Sequence, residues 1–328
     1  LILKERSEPP EIFQLTSLLQ RIPAHHSSFP QWTEKLRRIT AGYHGEQRVD
    51  SLWHDFTIDC PHYFIHDLFI QKPQSSHQID TVLVTSRFVL LLEIKSIVGL
   101  LNFDSQLRQF SRTNKDGSIE GMRNPDDQLR RHEKWLQGFL AEHNCPLPVI
   151  GAIVFTYPSS IVQKKADKRL TIQSSGLPFL LDQLLAVHKK DLLTKEMTFE
   201  IANSLVSLHS NKSLRWPLLP STFQTGVLCP ECTGVKMIYV QRRWRCENCS
   251  YSHPHAHLEA LAQYRVLVSP TITNRQFRDF TGLSAPSTAS KLLRNLAMPF
   301  RGSFKDRVYE IPAEIGRTER ISERKDSI

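Results

Sequence analysis

Two stretches of this 328-residue sequence gather side chains able to do chemistry. The first is a pair of apolar runs, Ile79 to Thr85 and Phe88 to Ile94, separated only by Ser86-Arg87. Short β-rich runs this close together predict a hairpin. Pairing Thr85 with Phe88 sets Val84 against Val89, Val82 against Leu91 and Asp80 against Glu93. The two carboxylates then face each other with Cβ atoms about 5 Å apart. Like charges so placed are unfavourable unless something positive lies between them. Lys95, two residues beyond Glu93, falls on the same face by strand periodicity. Two carboxylates and one ammonium at the end of an apolar hairpin suit a hard divalent cation, Mg²⁺ or Mn²⁺, with Asp80 and Glu93 as its ligands. Such a cation polarises a phosphate oxygen and lowers the pKa of a bound water. Lys95 orients that water or stabilises the charge developing on phosphorus. Phosphodiester hydrolysis is the reaction class that fits best. Solvated strand-end residues give the same spacing, so it is the register that favours a site. Ser-Arg is not a favoured two-residue turn, but a four-residue loop closed by Val84 and Val89 preserves that register.

The second stretch is Cys229-Pro230-Glu231-Cys232 and Cys246-Glu247-Asn248-Cys249, a CxxC–x13–CxxC pattern. Two residues between cysteines let one tight loop present both sulfurs to a tetrahedral ion. Lys236 to Val240 and Arg242 to Arg245 read as two short strands between the knuckles, the plan of a zinc ribbon. Four thiolates leave no open coordination position, so one structural Zn²⁺ is expected at Cys229, Cys232, Cys246 and Cys249. Tyr239, Trp244 and Arg242, Arg243 and Arg245 either touch nucleic acid or fill the ribbon's own core. Cys60 and Cys145 stand alone and read as small buried hydrophobes.

Thr273 to Phe280 reads as a short helix and Thr281 to Ser284 as a tight turn. A second helix follows from Ala285 to Ala297, with Ser284 as its N-cap and Pro286 in its first turn. Phe277, Phe280, Leu283, Ala289, Leu292, Leu293 and Leu296 supply a core. Ser287, Thr288, Lys291 and Arg294 are left outside, a set able to reach base edges and phosphates. Arg301 to Ile311 then reads as a hairpin carrying Arg301, Lys305 and Arg307, and the segment resembles winged-helix DNA-binding modules. The formal charge is +9, yet residues 1–211 carry only +1 of it and residues 212–328 carry +8. That asymmetry points to nucleic acid as the partner of the last third, DNA ahead of RNA.

These parts need a scaffold. Residues 1–40 are expected as a helical extension interrupted by Pro23 and Pro30, with a new helix opening at Thr40. Residues 41–210 read as one α/β domain, with a helix from Asn124 to about Leu140, a buried strand from Val149 and a helical stretch over 177–208. A linker over 211–226, the ribbon over 227–252, the helix-turn-helix over 255–316 and a flexible tail over 317–328 complete the expected order. Hydrophobic residues make up 40% and charged residues 23%, ordinary for a globular protein. No run reaches the length of a membrane span or signal-peptide core, so a cytoplasmic location is expected. No GxxxxGK[ST] loop is present, which excludes a built-in P-loop motor.

Gly42-Tyr43-His44-Gly45-Glu46, Gln78-Ile79-Asp80, Glu93-Ile94-Lys95-Ser96 and Asn124-Pro125-Asp126-Asp127-Gln128 are similar to the successive motifs of the NERD (nuclease-related) domain, grouped with the PD-(D/E)xK nucleases. The resemblance runs from about Ala41 to Leu140. It implies a restriction-endonuclease-like fold, with Glu46 on the first core helix and Gln128 facing the site as a polar support. The expected architecture is thus an α/β restriction-endonuclease-like core, then a small β zinc ribbon and an α-rich helix-turn-helix or winged-helix domain. The expected function is metal-dependent cleavage of DNA or RNA by Glu46, Asp80, Glu93, Lys95 and Gln128. The alternative is a non-catalytic, zinc-containing DNA-binding protein that retains a nuclease-like fold.

Overall fold

The structure, a computed structural model, describes residues 1–165 and 169–316; the expected tail at 317–328 lies outside the described residues. The chain begins with β1 (Ile2–Lys4), α1 (Pro10–Gln20) and α2 (Phe29–Ser51). Six strands follow: β2 (His62–Gln71), β3 (Ser76–Thr85), β4 (Val89–Lys95), β5 (Gly99–Asp104), β6 (Gln109–Thr113) and β7 (Ile119–Met122). Next come α3 (Pro125–Glu142), β8 (Val149–Phe155), β9 (Ser160–Lys164), β10 (Leu170–Gln173), α4 (Leu177–Val187) and α5 (Lys195–Ser207). The last third holds β11 (Met237–Val240), β12 (Arg243–Cys246), β13 (Ser252–His253), α6 (His257–Leu267) and β14 (Thr271–Thr273). It ends with α7 (Asn274–Thr281), α8 (Pro286–Asn295), β15 (Phe300–Arg301) and β16 (Val308–Glu310).

Two compact units result, and neither is continuous in sequence. The first combines Leu1–Glu8 with Thr40–Lys212; the second combines Pro9–Ile39 with the described residues from Ser213 onward. The stretch 1–40 is therefore divided between them. Helix α2 runs unbroken through Thr40, where the sequence suggested a new start. Pro30 does not interrupt it, because a proline in the first turn lacks only an N–H that has no helical partner anyway.

The first unit is built on a mixed sheet ordered β1-β2-β3-β4-β8-β10, beside a smaller sheet ordered β7-β6-β5-β9. Val82, Val84, Leu91, Ile153 and Phe155 turn one face of the larger sheet toward Leu129, Leu136 and Leu140 of α3 and Leu205 of α5. Leu83, Leu90, Leu92 and Val154 turn the other toward Val49 of α2 and Leu177 and Leu181 of α4. Coverage on both faces explains why β4 and β8 read as near-continuous apolar runs. Asn124 caps α3 by accepting from Asp126 N at 3.0 Å. The helical stretch over 177–208 is two helices, the second capped by Thr194, whose side chain accepts from Met197 N.

The β3–β4 ladder has the expected register, Val84 against Val89 and Val82 against Leu91. Neither Ser86 nor Arg87 adopts the left-handed conformation usual in two-residue turns. Instead the Thr85 hydroxyl accepts from Arg87 N at 3.1 Å and Phe88 N at 2.8 Å. Ser86 Oγ and Arg87 Nε donate to Asp191, and Arg87 Nη1 to Asp59. The side chains close a turn that the backbone preference of Ser-Arg would not.

In the second unit, β11 and β12 pair across Gln241-Arg242, both in the left-handed region with φ of 51° and 64°. Leu18 and Ile22, in and just after α1, pack with Val266 and Leu267 at the end of α6. Residues 211–226 contain no helix or strand, yet their end is pinned by Arg21. That guanidinium, 1% exposed, donates to Gln263 Oε1, Gln224 O and Gly226 O, and stacks 4.7 Å over Phe280. Helix α6, β14, α7, α8, β15 and β16 succeed one another, with the strands in a sheet ordered β14-β16-β15. Phe277, Phe280, Leu283, Ala289 and Leu293 are buried there as expected, and Leu292 and Leu296 pack against them. The N-cap of α8 is Ala285 rather than Ser284, whose carbonyl instead accepts from Arg278.

Candidate metal and active site

Strands β3 and β4 carry Asp80, Glu93 and Lys95 to one end of the larger sheet. The recorded antiparallel register ends at Thr81 and Leu92, and the next N–H, that of Ile94, donates to Asp80 Oδ2 at 2.7 Å. Asp80 is thus locked to the strand that bears Glu93. Lys95 Nζ donates to Glu93 Oε1. Glu93 is 1% exposed and Asp80 8%.

Glu46 reaches the cluster from α2, whose approach depends on Gly45. A Cβ at Gly45 would lie 1.8 Å from Ser96 Oγ and 2.9 Å from Thr156 Oγ1, so the helix backbone rests directly on the end of β4. Arg6, just beyond β1, then ties the helix to β3. Its Nη1 donates to Glu46 Oε2 at 2.6 Å, its Nε to Asp50 Oδ2 at 2.6 Å, and its Nη2 to Asp80 O at 2.8 Å and Thr81 Oγ1 at 3.1 Å. Sequence reading missed Arg6, Asp50 and their neighbour His66. A single arginine after a three-residue strand carries no periodicity, and nothing in its surroundings advertises a fork of carboxylates forty residues away.

The electrostatics follow from burial. It pushes the Glu46 carboxyl up to about 8, helped by Asp80 and opposed by Arg6. Burial also lifts Glu93 to about 8, against the pull of Lys95 and with the push of Asp80. Asp80 is raised by the same burial, while Lys95, the Ile94 N–H and Arg6 pull it back. Burial alone would lower the Lys95 ammonium, but Glu93 and Asp80 beside it raise it overall. Carboxyls buried this close together raise one another's affinity for protons, and a cation bound among them would displace those protons.

Gln128 lies half-buried on α3, one turn before His132. Its amide has no hydrogen bond among the described residues. His132, not anticipated from the sequence, is fully buried with Nε2 4.0 Å from Glu93 Oε2 and Nδ1 3.1 Å from Nδ1 of His77. Burial, and then His77, push its imidazole down to about 3, so it stays neutral.

The donor set suits the cation expected. Asp80 and Glu93 offer oxygen only, and Glu93 Oε2 is a buried acceptor with no partner. One or two carboxylates with the remaining positions left to water is the coordination Mg²⁺ prefers. Among the described residues only Cys229, Cys232, Cys246 and Cys249 bring three or more ligand atoms within 4.8 Å of one another. Cys229 Sγ and Cys249 Sγ are 3.6 Å apart, too far for a disulfide. That separation is close to the ~3.8 Å edge of a tetrahedron with Zn–S near 2.3 Å. The backbone N–H of Cys249, with that of Asn248, brings the Cys246 thiol down to about 7. Trp244 is buried in the core of this unit and its Nε1 donates to His257, while Arg242, Arg243 and Arg245 are exposed.

On α8, Ser287, Lys291 and Arg294 are exposed and Thr288 is half-buried. Arg301 is exposed on β15, and Arg307 stacks 4.0 Å over Phe300. Lys305 falls within the single turn Phe304–Asp306; its side chain lies outside what the structure describes.

No helix among the described residues is long and apolar enough to cross a membrane. No curated protein matches the chain. Residues 41–156 match the family model of the nuclease-related domain. That span takes in Glu46, Asp80, Glu93, Lys95 and Gln128, on a mixed α/β sheet that fits a nuclease-like fold. The chain therefore carries a NERD, or nuclease-related, domain, whose general class is the PD-(D/E)xK superfamily.

Proposed function

We propose that the protein is a metal-dependent nuclease whose second unit brings it to nucleic acid, DNA ahead of RNA. The observation that carries this reading is the convergence of Asp80, Glu93, Lys95 and Glu46 at one sheet end, where burial leaves the carboxylates short of positive charge. A bound Mg²⁺ or Mn²⁺ supplies Lewis-acid polarisation of a phosphate oxygen and a more acidic water. Asp80 and Glu93 are the residues that hold it. Lys95, on the same strand as Glu93, is placed to stabilise charge on the phosphate under attack. Glu46 has one oxygen, Oε1, outside its contact with Arg6, and once a bound cation has displaced its proton that oxygen is suited to take one from the attacking water. Gln128, one turn before His132 on α3, supports the site's polar wall.

In the second unit, the order helix, strand, two helices and a two-stranded hairpin supports a winged-helix-like reading, with α8 as the helix that meets DNA. Ser287, Thr288, Lys291 and Arg294 on α8, and Arg301, Lys305 and Arg307 on the hairpin, are the contacts we assign. A structural Zn²⁺ on the four cysteines stabilises the ribbon beside it. We read the setting as cytoplasmic, where CxxC pairs hold metal rather than form disulfides.

The test is cleavage of mixed DNA and RNA substrates with Mg²⁺ or Mn²⁺ by the intact chain, Asp80→Ala and Lys95→Ala. Cutting that EDTA and both substitutions abolish supports the enzyme. Binding without cutting above the variants' background favours the second reading, a zinc-containing DNA-binding protein with a nuclease-like fold. One observation leans that way: Lys95 is already paired with Glu93.

A further inference from the structure

Glu93 Oε2 and His132 Nε2 are both buried, both without a hydrogen-bond partner, and 4.0 Å apart. The other atom of each group is committed. Glu93 Oε1 accepts from Lys95, and His132 Nδ1 faces His77 Nδ1 at 3.1 Å. Two neutral imidazole nitrogens at that distance share one proton, so one ring donates and the other accepts. Once Glu93 is ionised, as it must be to hold a cation, a proton on His132 Nδ1 would leave a bare Nε2 lone pair facing a carboxylate oxygen in a dry interior, two acceptors with nothing between them. A proton on His77 Nδ1 instead leaves His132 protonated at Nε2, its N–H dipole aimed at Glu93. Low surrounding polarity makes the difference between these arrangements large.

We infer that His132 is a positioning residue for Glu93, with His77 fixing the proton on His132 Nε2 so that the carboxylate bound by Lys95 on one oxygen is steered by an N–H dipole at the other. This rests on the reading of Glu93 as a metal ligand. Groups that orient a ligating carboxylate typically contribute ten- to a hundred-fold in metal affinity. The 4.0 Å gap is too long for a hydrogen bond, and a carboxylate turned away from Lys95 to hold a cation can close it.

Two measurements on the zinc-loaded full chain decide the matter. The first needs no divalent cation at the nuclease site: ¹⁵N-histidine NMR above pH 8, where Glu93 is ionised, with the His132 ring assigned by its loss in His132→Gln. A neutral ring protonated at Nε2 is expected, and protonation at Nδ1 overturns the inference. The second is Mn²⁺ titration followed by EPR. His132→Leu is expected to weaken Mn²⁺ binding by about 10–100-fold. His132→Gln, whose amide can donate along the same line, is expected to recover most of that loss. Unchanged Mn²⁺ affinity in His132→Leu overturns the positioning role while leaving the metal reading intact. A wild-type chain that takes up no Mn²⁺ overturns the metal reading itself, an outcome the NMR result keeps distinct.

Discussion

Adding one methyl group to α2 should separate two glycines that look alike in sequence. Gly42 and Gly45 lie in the same helix, and Ala in place of Gly in a helix interior contributes about 1 kcal/mol when nothing obstructs it. A Cβ at Gly42 meets nothing within 4 Å, so Gly42→Ala is expected to gain that amount. A Cβ at Gly45 meets Ser96 Oγ at 1.8 Å, Thr156 Oγ1 at 2.9 Å and Ser96 Cβ at 3.1 Å. Rotating the Ser96 hydroxyl away gives up its 2.9 Å hydrogen bond to Thr156, about 1 kcal/mol. The other two contacts remain tight, and overpacking of this kind costs about 1–3 kcal/mol. Against the propensity gain, Gly45→Ala should lose about 2 kcal/mol, which for a unit of this size lowers the melting temperature by roughly 4–8 °C. The helix must also lift from β4, carrying Glu46 with it, and displacements near 1 Å cost about a hundred-fold in rate. Calorimetry and Mg²⁺-dependent cleavage measure the two effects. Ser96→Gly, which removes both the hydroxyl and the Cβ, should restore most of the loss in the double variant. Equal melting temperatures for Gly42→Ala and Gly45→Ala would refute the close approach.

Arg6→Met should leave Glu46 and Asp50 without their guanidinium; equilibrium denaturation should show a loss of about 3–5 kcal/mol, the range for breaking a buried ion pair on one side. In the metal-free protein Glu46 and Glu93 bind protons more tightly folded than unfolded, from 4.5 to about 8. Their stabilising contribution is whole below pH 4.5 and lost as pH rises toward 8. His132 and His257, lowered to about 3 and about 4 by burial, act oppositely below 6.5. Melting temperature should therefore fall between pH 6.5 and 8 without divalent cation and hold steady with it, and calorimetry in buffers of different ionisation enthalpy should show protons released on Mg²⁺ binding. Cys246→Ser, or a strong chelator, should melt the ribbon: the near-ultraviolet signal of Trp244, buried in that core, should be lost while the far-ultraviolet signal of the larger sheet persists. Gln241→Asn with Arg242→Gly should raise ribbon stability by about 1 kcal/mol or more, read as a shift of that same transition, because both positions are left-handed.

The sequence made the β3–β4 hairpin readable because side-chain alternation and a short connection admit one register, and that register sets Asp80 and Glu93 just beyond its last pair, Thr81 and Leu92. The cysteine spacing was readable because two CxxC pairs suit tetrahedral coordination, and the four sulfurs do lie within 4.8 Å of one another. What stayed hidden depends on contacts far apart in the chain. Arg6 finds Glu46 and Asp80 only once β1 joins the sheet, and His132 meets Glu93 only because α3 folds back across β4 and β8. The continuity of α2 was also hidden: Pro30 looks like a break until it is seen in the first turn. The register across Ser86-Arg87 was legible but the closure of the turn was not, since Thr85, Asp59 and Asp191 supply from outside what the dipeptide lacks.

Each unit takes its first piece from the amino-terminal region, but the first resumes at Thr40 and the second only at Ser213, and that ordering matters while the protein is being made. As the chain leaves the ribosome, Leu18 and Ile22 emerge long before Val266 and Leu267, the residues they pack against. At the usual 5–20 residues per second the delay is roughly ten to fifty seconds, ample time for the first unit to fold around its own β1 and Arg6. Through that interval the apolar side of α1 and the charge of Arg21 wait in water for partners not yet synthesised, and this is when the nascent chain is most exposed to wrong partners and most in need of a chaperone.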